Sequence, residues 1–400
     1  MHQYKNHLQK LNGLTVFRGL LSAPPIAHLQ KLLSVLAETP ADTNEVITAY
    51  GSFAATLFQY GTDFSKVLKQ LVLEHENVYL SAVVKNNPAA GTLKNIAEKE
   101  LAFFNELAAF SSQDCKKDLP EEIAAFLPDW ETSSVDFPIL YQQFLSEIHT
   151  KGYGMFAAYH VFTFDGAELH PVKYPDPQSL SQLSGYERES GIVMRNTEAL
   201  LTGGTPSNLL LYGDAGTGKS STIKAVANEC KDKGLRLIEI RKNDLHKLPV
   251  LLELLAENPL KFILFIDDLS FTGNDEQFST LKATLEGSVS VCAKNTAIYA
   301  TSNRRHLVKA SMGERDGDDI HLNDSLQEMM SLSARFGLTI TFQKPDKDGY
   351  LSIVKHLAAD YGLELPENEL IQKAEAFAIR QNGRSPRTAK HFVETQLAKL

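Results

Sequence analysis

Cysteine is scarce in this sequence. The 400 residues hold three, Cys115, Cys230 and Cys292, far apart and odd in number. None forms a C-x-x-C pair, so neither a disulfide framework nor a zinc knuckle is expected, and a reducing compartment fits best. Long apolar runs are missing as well. No stretch reaches the ~20 apolar residues that a helix needs to cross a bilayer. Residues 1–30 carry no continuous apolar core of signal-peptide type, because Arg18 interrupts the one short run. The chain is therefore expected to be cytoplasmic, with no membrane partner. A basic excess is also absent: 40 Lys and Arg stand against 49 Asp and Glu, a net charge of −9. The deficit lies in residues 1–190, with 14 basic against 22 acidic side chains; the remainder holds 26 against 27. An acidic amino-terminal half argues against a broad nucleic-acid surface there, since phosphate binding requires concentrated Lys and Arg. What remains, 43% hydrophobic and 22% charged, is a globular chain long enough for two or three domains.

The most informative stretch is LLLYGDAGTGKSS, Leu209 to Ser221. Four apolar or aromatic residues lead into a glycine-rich turn and then a helical pattern. Gly213, Gly218, Lys219 and Ser220 fill the spacing G-x-x-x-x-G-K-S, the signature of a phosphate-binding loop. Gly213, Gly216 and Gly218 permit positive φ and a close wrap of backbone around an anion. The N–H groups of Asp214, Ala215, Thr217 and Ser221, with the start of the following helix, complete the expected phosphate cradle. Lys219 is expected to reach the β- and γ-phosphates of ATP, and the Ser220 hydroxyl to ligate Mg²⁺.

Around this loop the chain changes character twice. Residues 1–150 read as helices. Asn44 to Tyr60, Phe64 to Leu80, Leu93 to Phe110 and Ile139 to Ile148 carry apolar stripes at helical spacing, with Asp42 or Thr43 capping the first and Pro120 opening another piece. These stripes are most simply core faces, and none of them looks catalytic. Met155 to Phe164 alternates, and Asp165-Gly166 signals a hairpin turn before Ala167 to Val172. Pro171, Pro175 and Pro177 then punctuate a linker. From Leu209 onward strand and helix patterns alternate, as in a parallel α/β sheet. Strands are expected at Leu235–Ile240, Phe262–Asp267, Ala297–Ser302 and Leu338–Phe342. Beyond Pro345 the chain reads helical, with breaks at Pro366 and Asn382-Gly383. The expected division is thus 1–170, mostly helical and ending in a short β-hairpin; 171–343, a nucleotide-binding α/β domain; and 344–400, a helical lid.

Four further sites bear on chemistry. FILFIDD, Phe262 to Asp268, is an apolar strand ending in two carboxylates. Asp267 is expected to hold Mg²⁺ and Asp268 to orient the attacking water, although two acids simply capping a strand would look the same. AIYATSN ends in Asn303, which could bond the γ-phosphate or the water. Arg335, in SARFG, reads either as a cation at a helix end or as an arginine finger offered to a neighbouring subunit. Arg387, in SPRTA, stands where a cation opposes the helix dipole, and a nucleotide phosphate is its natural partner. Lys294, Arg304, Arg305 and Lys309 form the basic group best suited to meet nucleic acid, with a solvated face as the plainer reading.

With these elements in order, the chain resembles the AAA+ ATPases, and within them a bacterial family of single-module ATP-binding proteins. The paired Asp267-Asp268 is similar to helicase loaders and replication initiators, and SARFG and SPRTA to the Holliday-junction branch-migration motor. The resemblance spans Gln178 to Leu400. It implies a P-loop NTPase fold with a five-stranded parallel sheet in the order 5-1-4-3-2 and a helical lid. It also implies a homo-oligomeric ring or spiral with ATP at the subunit interfaces. Gly213 to Ser221 match Walker A, Asp267 and Asp268 Walker B, Asn303 sensor 1, Arg335 the arginine finger and Arg387 sensor 2. Leu183, Gly185 and Tyr186 resemble the segment beside adenine. Asp268 departs from the glutamate common in such enzymes, which makes slow turnover an expectation. Arg241 to Leu245 lack the aromatic–apolar–glycine loop of peptide-threading unfoldases, and a winged-helix domain after the lid is not expected. The expected function is Mg²⁺-dependent ATP hydrolysis coupled to remodelling or loading of a macromolecular client, protein or nucleic acid. The alternative is a slow ATP-gated switch; a small-molecule kinase is disfavoured by Asn303, Arg335 and Arg387.

Overall fold

The computed structural model describes residues 2–38, 41–269, 276–285, 294–303, 334–381 and 383–398. The chain divides into two compact units, Met1–Ala158 and Tyr159–Leu400.

The first unit is helical. Its core is aromatic: Trp130 packs on Tyr50 at 5.1 Å and Phe53 at 5.0 Å between ring centroids, and its indole N–H donates to the Phe110 carbonyl. One carboxylate buried with that core is fully engaged. The Glu100 carboxylate accepts from the backbone N–H groups of Thr15, Val16 and Phe17, which fixes the loop between the first two helices without a ladder. Asp42 caps the helix Thr43–Leu57 by accepting from the N–H groups of Asn44 and Glu45. The single helix expected over 64–80 is two, Phe64–Glu74 and Val78–Val84, because the Asn77 side chain accepts from the Leu80 N–H and starts a new helix there.

The second unit is built on one mostly parallel sheet. Its strands are β1 (Val161–Phe164), β2 (Leu169–Pro171), β3 (Leu209–Gly213), β4 (Leu235–Ile240), β5 (Lys261–Ile266), β6 (Thr296–Asn303) and β7 (Leu338–Phe342). Their order is β2-β1-β4-β5-β6-β3-β7. The expected sheet of five strands in the order 5-1-4-3-2 is thereby corrected to seven: β7-β3-β6-β5-β4 keep that order, and two further strands lengthen it. The hairpin β1–β2 extends the sheet beyond β4, with β1 parallel to β4 and β2 antiparallel to β1. Burial is the physical reason: Phe162 and Phe164 alternate into the core, so the hairpin's apolar face needs a neighbouring strand. The hairpin accordingly belongs to the second unit, and the boundary lies at Ala158 rather than after residue 170. Met155–Ala158 is a helical turn, leaving only Val161–Phe164 of the expected strand.

The inner strands are apolar throughout, as strands covered on both faces must be: Phe262 to Ile266 are all buried. Register then sets the site. Gly213 stands opposite Asn303 on one side and Phe342 on the other. The carboxyl ends of β3, β5 and β6 therefore converge at one edge. After β7, the helices Lys347–Asp360, Glu367–Arg380 and Pro386–Leu397 form the lid around Tyr350, Ile353, Phe377 and Phe392. Among the described residues no helix is long and apolar enough to cross a membrane.

Candidate functional site

The turn after β3 is shaped by its glycines. Gly213, Gly216 and Gly218 have φ of 149°, 79° and 89°. A Cβ on Gly213 would lie 2.0 Å from the Phe342 carbonyl oxygen, a contact that no side-chain-bearing residue tolerates. The turn ends in the helix Lys219–Cys230, whose first-turn residues line a cavity together with the loop.

Lys219 is buried. Its ammonium donates to the Gly213 carbonyl at 3.2 Å, the Asp214 carbonyl at 2.7 Å and Asn303 Oδ1 at 3.0 Å. Burial lowers its pKa, against the opposing pull of Asp214, Asp267 and Asp268. The Ser220 hydroxyl donates to Asp267 Oδ1 at 2.6 Å, and Thr301 Oγ1 donates to the same oxygen at 2.6 Å. Asn303 turns its amide nitrogen to Asp268 Oδ1 at 2.6 Å. One amide thus bridges the lysine and the second carboxylate. Asp268 itself adopts φ 51°, one of two non-glycine residues with positive φ among those described.

The cluster opens into a cavity of about 590 Å³, within the range of small-molecule sites. Its floor is Ala215 to Thr222 with Asp267, Asp268, Thr301 and Asn303. Its walls come from the linker, through Asp176, Gln178, Gln182, Leu183, Ser184 and Tyr186, and from the lid, through Ile353, Leu357, Pro386, Arg387 and Lys390. The linker is stapled in place: Asn228 Nδ2 donates to the carbonyls of Asp176 and Gln178, and the Leu180 N–H donates to Glu229. The lid is docked on the loop directly, since the Arg387 N–H donates to the Gly216 carbonyl at 3.2 Å. Ser385 caps this last helix, and Arg384 just before it is held by two hydrogen bonds to Glu375.

The structure brings most of the predicted residues together. Gly216 to Ser221, Asp267, Asp268, Asn303 and Arg387 share the cavity, and Gly213 and Asp214 support it from behind through their carbonyls. Leu183 and Tyr186 line it. Tyr186 is also committed to the core: its ring stacks on Phe342 at 5.2 Å, its hydroxyl donates to the Gln343 carbonyl, and burial raises its pKa. Gly185 is not on the lining; it lies against Ile353 of the lid. Arg335 stands in the turn ahead of β7, half-buried and outside the lining. Arg304, Arg305, Lys309 and Cys292 lie outside the described residues. Sequence reasoning missed Thr301 and the lid residues Ile353, Leu357 and Lys390. The spacing of Ile353 with Leu357 and of Arg387 with Lys390, one helical turn each, was the available signal.

The donor set suits a nucleotide with its cation. Positive-φ glycines leave room for phosphate oxygens, a buried ammonium supplies charge, and Ser220 with Asp267 offers hard oxygen ligands of the kind Mg²⁺ takes.

A family model described as "Protein of unknown function (DUF815)" matches residues 156–400. The chain belongs to the DUF815 family. No curated protein matches the sequence. Among solved structures, this DUF815 protein is similar to the Thermotoga maritima RuvB Holliday junction branch migration motor, at 16% identity and TM-score 0.36, covering 56% of this chain and 67% of that one. It is also similar to the Aeropyrum pernix ORC1 protein, solved in complex with DNA, at 15% identity and TM-score 0.39, covering 54% and 60%.

Proposed function

We propose that this DUF815 protein binds ATP with Mg²⁺ in the cavity between the phosphate loop and the lid, and hydrolyses it. One observation carries the reading. Lys219 and Ser220 from the loop, Asp267 and Asp268 from the end of β5, and Asn303 from β6 form one hydrogen-bonded cluster at the sheet edge, beneath Arg387. In it Lys219 and the loop N–H groups bind the phosphates, Asp268 and Asn303 hold the attacking water, and Arg387 senses the phosphates from the lid. Mg²⁺, held by Ser220 and Asp267, would neutralise charge on the phosphate oxygens. Arg335, outside the cavity of its own chain, is read as acting on the nucleotide of a second copy in a homo-oligomer. Hydrolysis is then coupled to remodelling or loading of a macromolecular client.

A second reading, a slow ATP-gated switch, is favoured by one feature. The Asp268 carboxylate is short and already bonded to Asn303, so its reach to water is limited. A misplacement of about 1 Å can slow a reaction on the order of 10²-fold. The test is ATP turnover per subunit against protein concentration in Mg²⁺, for the wild type and Arg335→Ala. A specific rate that rises with concentration in the wild type only is the expected result. A flat low rate with tight ATP binding establishes the switch, and no ATP binding at all refutes both.

A further inference from the structure

We infer that Thr301 is the positioning residue for both carboxylates of the site, setting the orientation of Asp267 and the backbone shape of Asp268. The inference rests on the nucleotide reading above and adds a residue to it.

Thr301 lies inside β6, two residues before Asn303, and is 2% exposed. A hydroxyl has one proton and two lone pairs, so each of its bonds fixes the direction of the others. Here the proton goes to Asp267 Oδ1 at 2.6 Å, and a lone pair accepts the Asp268 N–H at 2.9 Å. The two contacts are on different residues, and both are first in line for the chemistry.

Consider Asp267 first. Its Oδ1 accepts from three donors: Ser220 Oγ, Thr301 Oγ1 and, at 3.1 Å, the Asp268 N–H. Its Oδ2 accepts none among the described residues. The carboxylate is therefore turned so that one oxygen is saturated by protein and the other faces the cavity. Ser220 reaches the same oxygen from the first turn of the helix Lys219–Cys230. Thr301 is anchored in the middle of a buried strand whose register is set by β3 and β5. It provides the fixed point.

Asp268 depends on the same hydroxyl through its backbone. A non-glycine residue at φ 51° persists only where its surroundings over-determine it. The Asp268 N–H is held by Thr301 Oγ1, and the next residue is pinned by β6 as well: the Leu269 N–H donates to the Thr301 carbonyl at 2.7 Å, and Ser302 Oγ donates to the Leu269 carbonyl at 2.8 Å. This stitching aims the Asp268 side chain at Asn303. Groups that orient metal and catalytic ligands from behind are typically worth about 10- to 100-fold in metal affinity or activity.

The experiment compares full-length wild type, Thr301→Val and Thr301→Ser. Valine keeps the shape and removes the hydroxyl; serine restores the hydroxyl. Three quantities are measured: ATP affinity in EDTA, the gain in ATP affinity on adding Mg²⁺, and turnover. Thr301→Val is expected to keep the EDTA affinity within about 2-fold, to lose most of the Mg²⁺-dependent gain, and to lose about 10- to 100-fold in turnover; Thr301→Ser recovers to within several-fold of wild type. Unchanged Mg²⁺ dependence and turnover in Thr301→Val overturn the inference. So does an equal loss of affinity in EDTA and in Mg²⁺, which marks a merely structural residue. Should the wild type bind ATP without hydrolysing it, hydrolysis is refuted while the Mg²⁺-dependent gain still decides the role of Thr301.

Discussion

Replacing Lys219 by methionine separates what the lysine does for the ligand from what it does for the fold. The ammonium is 6% exposed as a residue and makes three hydrogen bonds, to the carbonyls of Gly213 and Asp214 and to Asn303 Oδ1. A hydrogen bond to a charged group is worth about 1.5–3 kcal/mol. At about 1.4 kcal/mol per decade, losing that contact to phosphate raises the Kd for ATP about 10- to 150-fold. The effect on the fold has two opposed parts. Burial holds the Lys219 pKa below its ordinary value, so the charged form is less comfortable folded than unfolded, and methionine relieves that cost. Against this, Asp214, Asp267 and Asp268 lose a neighbouring cation, and two carbonyls and an amide oxygen lose a donor while facing a cavity that water can enter. The parts nearly cancel. Stability is expected to stay within about 1 kcal/mol, a change in Tm of about 2–4 °C for a unit of this size. Calorimetric titration with ATP in Mg²⁺ and thermal unfolding of the same preparation give both numbers. Unchanged affinity refutes the assignment of the phosphate loop. A fall in Tm well beyond 10 °C would instead show the lysine to be a strut of the fold.

Other perturbations test neighbouring parts of the site. Gly213→Ala places a Cβ 2.0 Å from the Phe342 carbonyl oxygen, so it should separate β3 from β7 and lower stability by several kcal/mol, read by thermal unfolding. Arg387→Ala removes only the side chain and keeps the backbone bond to the Gly216 carbonyl. ATP affinity should fall about 10-fold with Tm unchanged, and an unmoved affinity counts against contact with phosphate. In the lid, the paired Arg384 guanidinium holds the Glu375 carboxyl below the ordinary carboxylate range. A depressed carboxylate stabilises the fold above its unfolded pKa, and the contribution is lost as pH falls through the lower folded value. Thermal unfolding between pH 7 and about pH 3 should therefore show a loss below about pH 4 that Glu375→Gln abolishes; equal pH slopes in both proteins would dismiss the pair.

How far the site could be read from sequence depends on whether its cause is local. The phosphate loop was legible because its glycines stand where the chain needs positive φ, and that demand lies within nine residues. Asp267 was legible because five buried apolar residues run straight into it. The hairpin strands were visible in the alternation of Val161 to Phe164, but nothing in that alternation names β4 as their partner, so the sheet was expected to be two strands short. The helix Glu187–Leu201 went unnoticed for a related reason. Its buried face is Ser190, Val193, Thr197 and Leu200, half of it polar, and the Thr197 hydroxyl is shared between the Val193 carbonyl of its own helix and the distant Tyr299 hydroxyl. Thr301 looked like any polar residue near a strand end. Its role arises from the register of β5 on β6, which brings the end of FILFI beside Ala300 and so sets Asp267 against the next residue.

Aspartate at 268 has a structural explanation on the same footing. The backbone there is left-handed, φ 51°, a conformation that costs an ordinary side chain about 1–2 kcal/mol. Aspartate and asparagine are enriched in that region because their short polar side chains bond locally, and Asp268 does so with Asn303 at 2.6 Å. A carboxylate one methylene longer would keep neither that bond nor its partner's geometry unless Asn303 moved. Asn303 is not at liberty to move, because its other amide atom accepts from Lys219. Residue choice at 268 is thus tied through one amide to the lysine of the phosphate loop.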